Sequence, residues 1–274
     1  SAAILRREKV AAERRLGREP NAKGRRQAPK RATQPMGNAA AKELRAAKVV
    51  NGTLDGSQGK CITKATVSTK AMSLKMLDTN TGSYGSGFRS GDCQVQDKAS
   101  GKVLYTTTGF ALERMFKIKV LDAEQNLICV ACSKDVFLNT VTMRLLRPDK
   151  QSYRDQTDFK EWAREETGPP LYPFGTLKLT KSNALTSLPS AAYSIAKEDE
   201  EGDPIPVPLY EAKMVQMGWS NFLMSIENVV GDLVARISQP DKINSKALEC
   251  ETGKGVDVVA VVVIALFFGV QKSI

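Results

Sequence analysis

The chain closes on GVDVVAVVVIALFFGVQKSI, and the thirteen consecutive apolar or glycine residues from Val258 to Val270 restrict its possible folds more than any other feature. As a helix this run reaches about 20 Å, against about 30 Å of hydrocarbon in a bilayer, so no transmembrane helix is expected. It is too long for an ordinary strand and shows no period-2 alternation. Its Val and Ile content would not favour a helix in isolation, yet Asp257 stands where an N-cap belongs. A helix apolar on every side must be surrounded by protein or lipid. The expectation is a central helix over 257–272, capped by Asp257, with Val259, Val263, Leu266 and Phe267 in a core that the rest of the chain supplies.

From Cys61 onward the pattern is one of short strands. CITKATVST, DCQVQD, KVLYTTTG, FKIKVLD, LICVACS and VTMRLL follow one another, and GTLKLT, AAYSIA, VPLYEAKMVQM, NFLMSIEN, DLVARIS and SKALECE come after a break. Many alternate polar and apolar residues or are rich in β-branched ones, as half-buried strands are. Two turns share a form, Asp97 to Gly101 and Asp122 to Asn126. Each offers an Asp to bond its own backbone and a Gly or Asn suited to positive φ, and ENVVGD repeats the idea at Gly231. About a dozen strands at this spacing argue for a mainly β barrel or sandwich, whose lining could enclose the final helix.

Residues 148–175 interrupt the strand series. Asp155 or Thr157 would cap a helix through DFKEWAREE, which Gly168-Pro169-Pro170 would end. This is read as a surface insertion in which Trp162 packs on the barrel or contacts a partner. KEDEEGDP (197–204) is an acidic loop, solvated or paired with a basic partner.

The net charge of +10 is confined to one end of the chain. Residues 1–48 carry 14 Lys or Arg and 4 Glu, leaving the rest of the chain at zero. The segment 1–52 is read as a basic extended arm, unable to build a core by itself, with a short helix near 39–50 that Asn38 would cap and Asn51-Gly52 would stop. Residues 1–48 hold no Phe, Trp or Tyr, so the arm cannot stack on bases. Arg6, Arg7, Arg14, Arg15, Arg18, Arg25, Arg26, Lys30 and Arg31 are the candidate contacts to a protein partner, to anionic lipid or to an RNA phosphate backbone. An arm with one Ser and four Glu resembles a mature terminus after cleavage more than a transit peptide, a hint of an organelle (chloroplast or mitochondrion). The alternatives are the cytoplasm or the inner face of a membrane.

Histidine is absent, which removes His-based triads, His general bases and His metal ligands. Cys129 and Cys132 form a CxxC inside what reads as a buried strand, with no second ligand pair at usable spacing. The five cysteines are therefore read as core thiols in reducing surroundings. DTNTGSYGSG (78–87) begins like a calcium loop but lacks its acidic residues and closing Glu. Asp97, Asp122 and Asp232 sit at apparent turns. No catalytic grouping, metal site or cofactor is expected.

GVDVVAVVVIALFFGVQKSI is similar to the C-terminal helix of the LURP-one-related proteins, and CQVQDKASGKVLYTTTG with FKIKVLDAEQNLICVACSK resembles that family's successive hairpins. The resemblance covers roughly residues 55–274. It implies the tubby C-terminal-like fold, a twelve-stranded barrel around a central hydrophobic helix, here over 53–274. The basic arm and the 148–175 insertion have no counterpart in it. The function these features suggest is a non-enzymatic scaffold or accessory subunit of a larger, membrane-associated organellar assembly, anchored by the arm. A peripheral anionic-lipid-binding module and a phosphate-backbone RNA binder are the alternatives.

Overall fold

The computed structural model describes residues 37–54, 61–79, 91–112, 115–134, 140–148, 171–180, 188–198, 204–217, 222–240 and 247–271. The arm residues Arg6 to Arg31 and Trp162 lie outside the described residues. Among the described residues the first elements are helix α1 (Gly37–Ala46) and a 3₁₀ turn at Lys64–Thr66. Six strands follow: β1 (Met72–Asp78), β2 (Cys93–Asp97), β3 (Val103–Leu112), β4 (Met115–Asp122), β5 (Leu127–Lys134) and β6 (Thr140–Arg147). Six more are β7 (Tyr172–Thr180), β8 (Ser190–Glu198), β9 (Pro204–Met217), β10 (Phe222–Asn228), β11 (Leu233–Ser238) and β12 (Ala247–Thr252), before helix α2 (Val258–Gln271). Strand β7 begins inside the expected 148–175 insertion, at Tyr172.

The twelve strands pair antiparallel in sequence order, and β1 closes on β12 through Met72↔Thr252 to Leu77↔Ala247. Closure removes the two sheet edges that an open meander would expose. Alternation sets the faces. Leu74 and Met76 of β1, Ile118 and Val120 of β4, Ala212 and Met214 of β9, and Ala235 and Ile237 of β11 all turn inward and are buried. Their neighbours Lys75, Lys119, Lys213 and Arg236 face outward, as a period of two requires.

Helix α2 shares one core with these inward faces. From Val256 to Phe268 no residue is more than 2% exposed, and Val259, Val263, Leu266 and Phe267 are at 0%. A helix with no exposed side, packed against the inner faces of a closed sheet, lies within the barrel. No helix among the described residues is long and apolar enough to cross a membrane. From Val258 to Phe268 the apolar run finds its cover in the barrel lining.

The turns use their carboxylates as backbone acceptors. Asp97 takes the N–H groups of Ala99 and Ser100 (both 2.9 Å), and Asp122 takes the Asn126 backbone N–H (2.8 Å) and its side-chain amide (3.0 Å). These donors, foremost the Ser100 backbone for Asp97 and the Asn126 side chain for Asp122, hold both carboxyls below the usual range. In the second turn the left-handed residue is Gln125 (φ 67°), not Asn126 as its chemistry suggested. Asn126 is engaged with Asp122 instead, which passes the strained position to its neighbour.

Helix α1 lies on the outer wall. Ala41 is buried, and Arg236 of β11 donates to the carbonyls of Leu44, Arg45 and Ala47 (2.8, 2.6 and 3.0 Å), capping the helix C-terminus with positive charge. Arg236 also pairs with Glu251 of β12. The segment 37–54 is thus built onto the barrel rather than hanging from it.

Candidate functional site at the plugged mouth of the barrel

The hairpins β2–β3, β4–β5 and β10–β11 turn at the end of the barrel where α2 begins, because β12 runs straight into that helix. The segment 61–68 closes this mouth. Ile62 is fully buried in the core, and its backbone N–H and C=O are each engaged by a buried side chain. Its N–H donates to Asp257 Oδ2 (2.5 Å), and its carbonyl accepts from Arg147 (2.9 Å), which also reaches the Cys61 carbonyl (3.3 Å). Arg147, at the end of β6, is itself buried and stacks its guanidinium over the Phe174 ring at 4.5 Å. A charge so placed is tolerated because carbonyl oxygens and the ring face both offer it negative potential.

Asp257 is the N-cap of α2. Its Oδ1 accepts from the N–H groups of Val259 and Ala260 (both 3.1 Å), the orphan donors of the first turn. Its own N–H donates to the Tyr210 hydroxyl (3.2 Å). Full burial pushes the Asp257 carboxyl above the usual carboxylate value, although the donors from Ile62, Ala260, Thr66 and Val259 pull the other way. Ser68 completes the closure. Its hydroxyl donates to the Gly253 carbonyl (2.7 Å), while its N–H bonds the Val256 carbonyl (2.9 Å) and its carbonyl accepts from Gly255 (2.8 Å).

Further out, the chain crosses the same end a second time. Val50, Gly52 and Leu54 donate to the carbonyls of Leu233, Lys254 and Gly255 (2.8, 2.7 and 3.0 Å). Two glycines make this crossing possible. A Cβ on Gly253 would collide with the Val50 carbonyl, and Gly255 has φ of +71° with no room for a side chain beside Gly52.

Three tyrosines surround the cap. Tyr193 and Tyr210 stack with centroids 5.9 Å apart, and the Tyr193 hydroxyl is buried without a hydrogen-bond partner among the described residues. Burial and the Asp257 carboxylate push all three phenols up, Tyr105 to about 12. The thiols of Cys129 and Cys93 are likewise raised by burial, and that of Cys250 reaches about 12. Phenols and thiols so shifted remain neutral at ordinary pH. Beside the plug a cleft of about 410 Å³ is lined by Thr63, Thr66, Lys102, Tyr105, Asp122 and Glu124 among others.

Cys129 and Cys132 lie on opposite faces of β5. Cys129 pairs with inward Val120, while Cys132 pairs with Lys117 on the outer face, where it clusters with Val130 and Leu171. Residues three apart on a strand always diverge in this way, so the two thiols cannot share a metal or a disulfide with each other. All five cysteines are buried thiols, and no cluster that could hold a metal ion occurs among the described residues.

Asp257, Val259, Val263, Leu266 and Phe267 are thus together in the barrel, Asp257 at its mouth and the others in its core. Arg147, Ile62 and the Gly253–Gly255 crossing carried no signal in the sequence that would have singled them out. Their partners are far away in the chain, 195 residues in the case of Ile62 and Asp257. The class these features define is a closed twelve-stranded antiparallel barrel with an internal C-terminal helix and a polar plug. No family model matches the chain, and no curated protein matches it. Among solved structures, the X-ray structure of an Arabidopsis thaliana protein is similar, with 10% identity, a TM-score of 0.41, and coverage of 76% of this chain and 95% of that one.

Proposed function

We propose that this chain is a LURP-one-related, tubby-like barrel protein that acts as a non-enzymatic scaffold or accessory subunit of a larger, membrane-associated organellar assembly. The observation that carries the reading is the filled barrel: α2 occupies the space in which a barrel of this size would otherwise hold a ligand. The described domain therefore meets other molecules through its outer wall and its rim. The basic arm is the anchor in this reading, since ten units of net positive charge are concentrated in residues 1–48 of an otherwise neutral chain.

The test compares the full chain with a variant in which Arg6, Arg7, Arg14, Arg15, Arg18, Arg25, Arg26, Lys30 and Arg31 are all replaced by Gln. Sedimentation of mildly solubilised source-cell extract is expected to place the native chain in a large particle and the variant near the monomer. A native chain that itself sediments as a monomer refutes the proposal. A particle dispersed by ribonuclease would favour the RNA reading, and flotation of the purified chain with anionic vesicles, abolished by salt, would favour the lipid one.

A further inference from the structure

The outer crossing of the mouth contains Asn51-Gly52, the chain's only Asn-Gly pair. An asparagine in this setting is open to attack on its own side chain. The backbone nitrogen of the next residue can reach its Cγ, because glycine has no Cβ to obstruct the approach. Asn51 is exposed, so water reaches its amide.

The closed crossing holds both reacting groups on one residue of the opposite segment. The Gly52 N–H donates to the Lys254 carbonyl (2.7 Å), and Asn51 Oδ1 accepts from the Lys254 N–H (3.2 Å). On either side, Val50 and Leu54 donate to the carbonyls of Leu233 and Gly255 (2.8 and 3.0 Å). Gly52 is packed so closely on the Gly255 carbonyl that an added Cβ would collide with its oxygen, which leaves the Gly52 peptide no room to pivot. Attack requires the Gly52 nitrogen to lose its proton and turn onto Asn51 Cγ. Bonded to Lys254, it does neither.

We propose that Asn51 is a latent deamidation site, protected while the crossing is closed and converted when residues 50–54 lift away, and that the isoaspartate formed there keeps the crossing open. In the open segment the Gly52 nitrogen gives up its proton and bonds to Asn51 Cγ. The side-chain amide C–N bond breaks, its nitrogen leaves with that proton as ammonia, and a cyclic imide remains. Water then cleaves the imide. Breaking the new bond from Cγ to nitrogen leaves aspartate at position 51. Breaking the original peptide bond instead leaves isoaspartate, whose main chain runs through Cβ and is one carbon longer.

The two products differ in what they permit. Aspartate keeps the main chain unchanged and an oxygen for the Lys254 N–H, so the crossing closes again. Isoaspartate lengthens the path between the Val50 and Gly52 amides, whose acceptors on Leu233 and Lys254 have a set spacing. The Val50 carbonyl already meets Gly253 with no space for a Cβ, so the longer chain cannot be seated. A brief local opening is thereby turned into a permanent one. This inference concerns the crossing alone and is independent of the function proposed above.

The experiment incubates the purified full chain at mildly alkaline pH and follows Asn51 by peptide mapping with mass spectrometry, resolving the two products. Hydrogen exchange at the Gly52 amide is measured in the same buffer. Conversion in the folded chain is expected to be slower than in guanidinium chloride by at least the factor that protects the Gly52 amide, since both reactions need the same opening. In Gly253→Ala, conversion and Gly52 exchange are expected to rise together, roughly tenfold. Equal conversion in folded and unfolded chains, conversion faster than Gly52 protection allows, or faster exchange in the variant without faster conversion overturns the latency. Should the variant fail to fold, the comparison within the native chain decides alone. The purified isoaspartate form is expected to exchange freely at Val50, Gly52 and Leu54, while Asn51→Asp stays protected like the native chain. Protection in the isoaspartate form, or its loss in Asn51→Asp, overturns the one-way step.

Discussion

Replacing Asp257 tests the closure of the barrel at its most connected atom pair. In Asp257→Ala the N–H groups of Val259 and Ala260 lose their cap, and the Ile62 N–H loses its acceptor within a fully buried residue. Loss of a cap costs about 1 kcal/mol, and a buried donor left alone about 1–3 kcal/mol, so the sum is about 2–4 kcal/mol. Asp257→Asn keeps one oxygen for the cap but turns an amide N–H₂ or a single acceptor toward Ile62, and is expected to cost about 1–3 kcal/mol. The two chains also differ in their pH dependence. The Asp257 carboxyl is raised above its ordinary 3.8 by burial, so as pH climbs past that value the unfolded chain releases its proton first. The folded state then binds more protons, and its stability falls with rising pH until the folded carboxyl also ionises. Asn has no such proton. Urea unfolding followed by far-ultraviolet circular dichroism across mildly acid to neutral pH should show the native chain's advantage over Asp257→Asn largest in acid and shrinking as pH rises. An advantage that is flat with pH, or that widens toward neutral, would refute the assignment of a carboxyl raised by burial.

Three further outcomes follow from the same geometry. Arg147→Met removes the donors to the Cys61 and Ile62 carbonyls and the contact with Phe174, and should cost about 2–4 kcal/mol in urea unfolding. Arg147→Lys should recover only part of this, because an ammonium lacks the planar fork. Gly253→Ala drives a methyl into the Val50 carbonyl; hydrogen exchange at the amides of Val50, Gly52 and Leu54 should accelerate, with about 1–3 kcal/mol lost overall. Leu266→Ala opens a cavity at the fully buried centre of α2 and should lower stability by about 2–5 kcal/mol in the same unfolding assay without changing the far-ultraviolet spectrum.

Much of the architecture could be read along the chain because it is local. The alternation in FKIKVLD and the turn chemistry at Asp97 are properties of neighbouring residues, and both appear at those places as β4 and the β2–β3 turn. PIPVPLYEAKMVQM (Pro204–Met217), which extends the expected VPLYEAKMVQM strand by three residues, is the instructive case. Its prolines would demote an ordinary central strand, and they survive in β9 because that half of the strand outruns β10 and turns its proline sides away from β8. Nothing near Pro206 in the sequence says where its second neighbour ends.

By itself the sequence determined that residues 258–270 need an apolar enclosure, that the strands supply alternating faces to make one, and that the positive charge gathers in residues 1–48. Tertiary structure alone decided how the mouth is closed. Arg147, Ile62, Ser68, Gly253 and Asp257 come from separated parts of the chain, and each makes sense only against the others. Periodicity is a short-range property that survives in one dimension. The pairing of a buried carboxylate with a peptide 195 residues away is set by barrel closure, which no local pattern encodes.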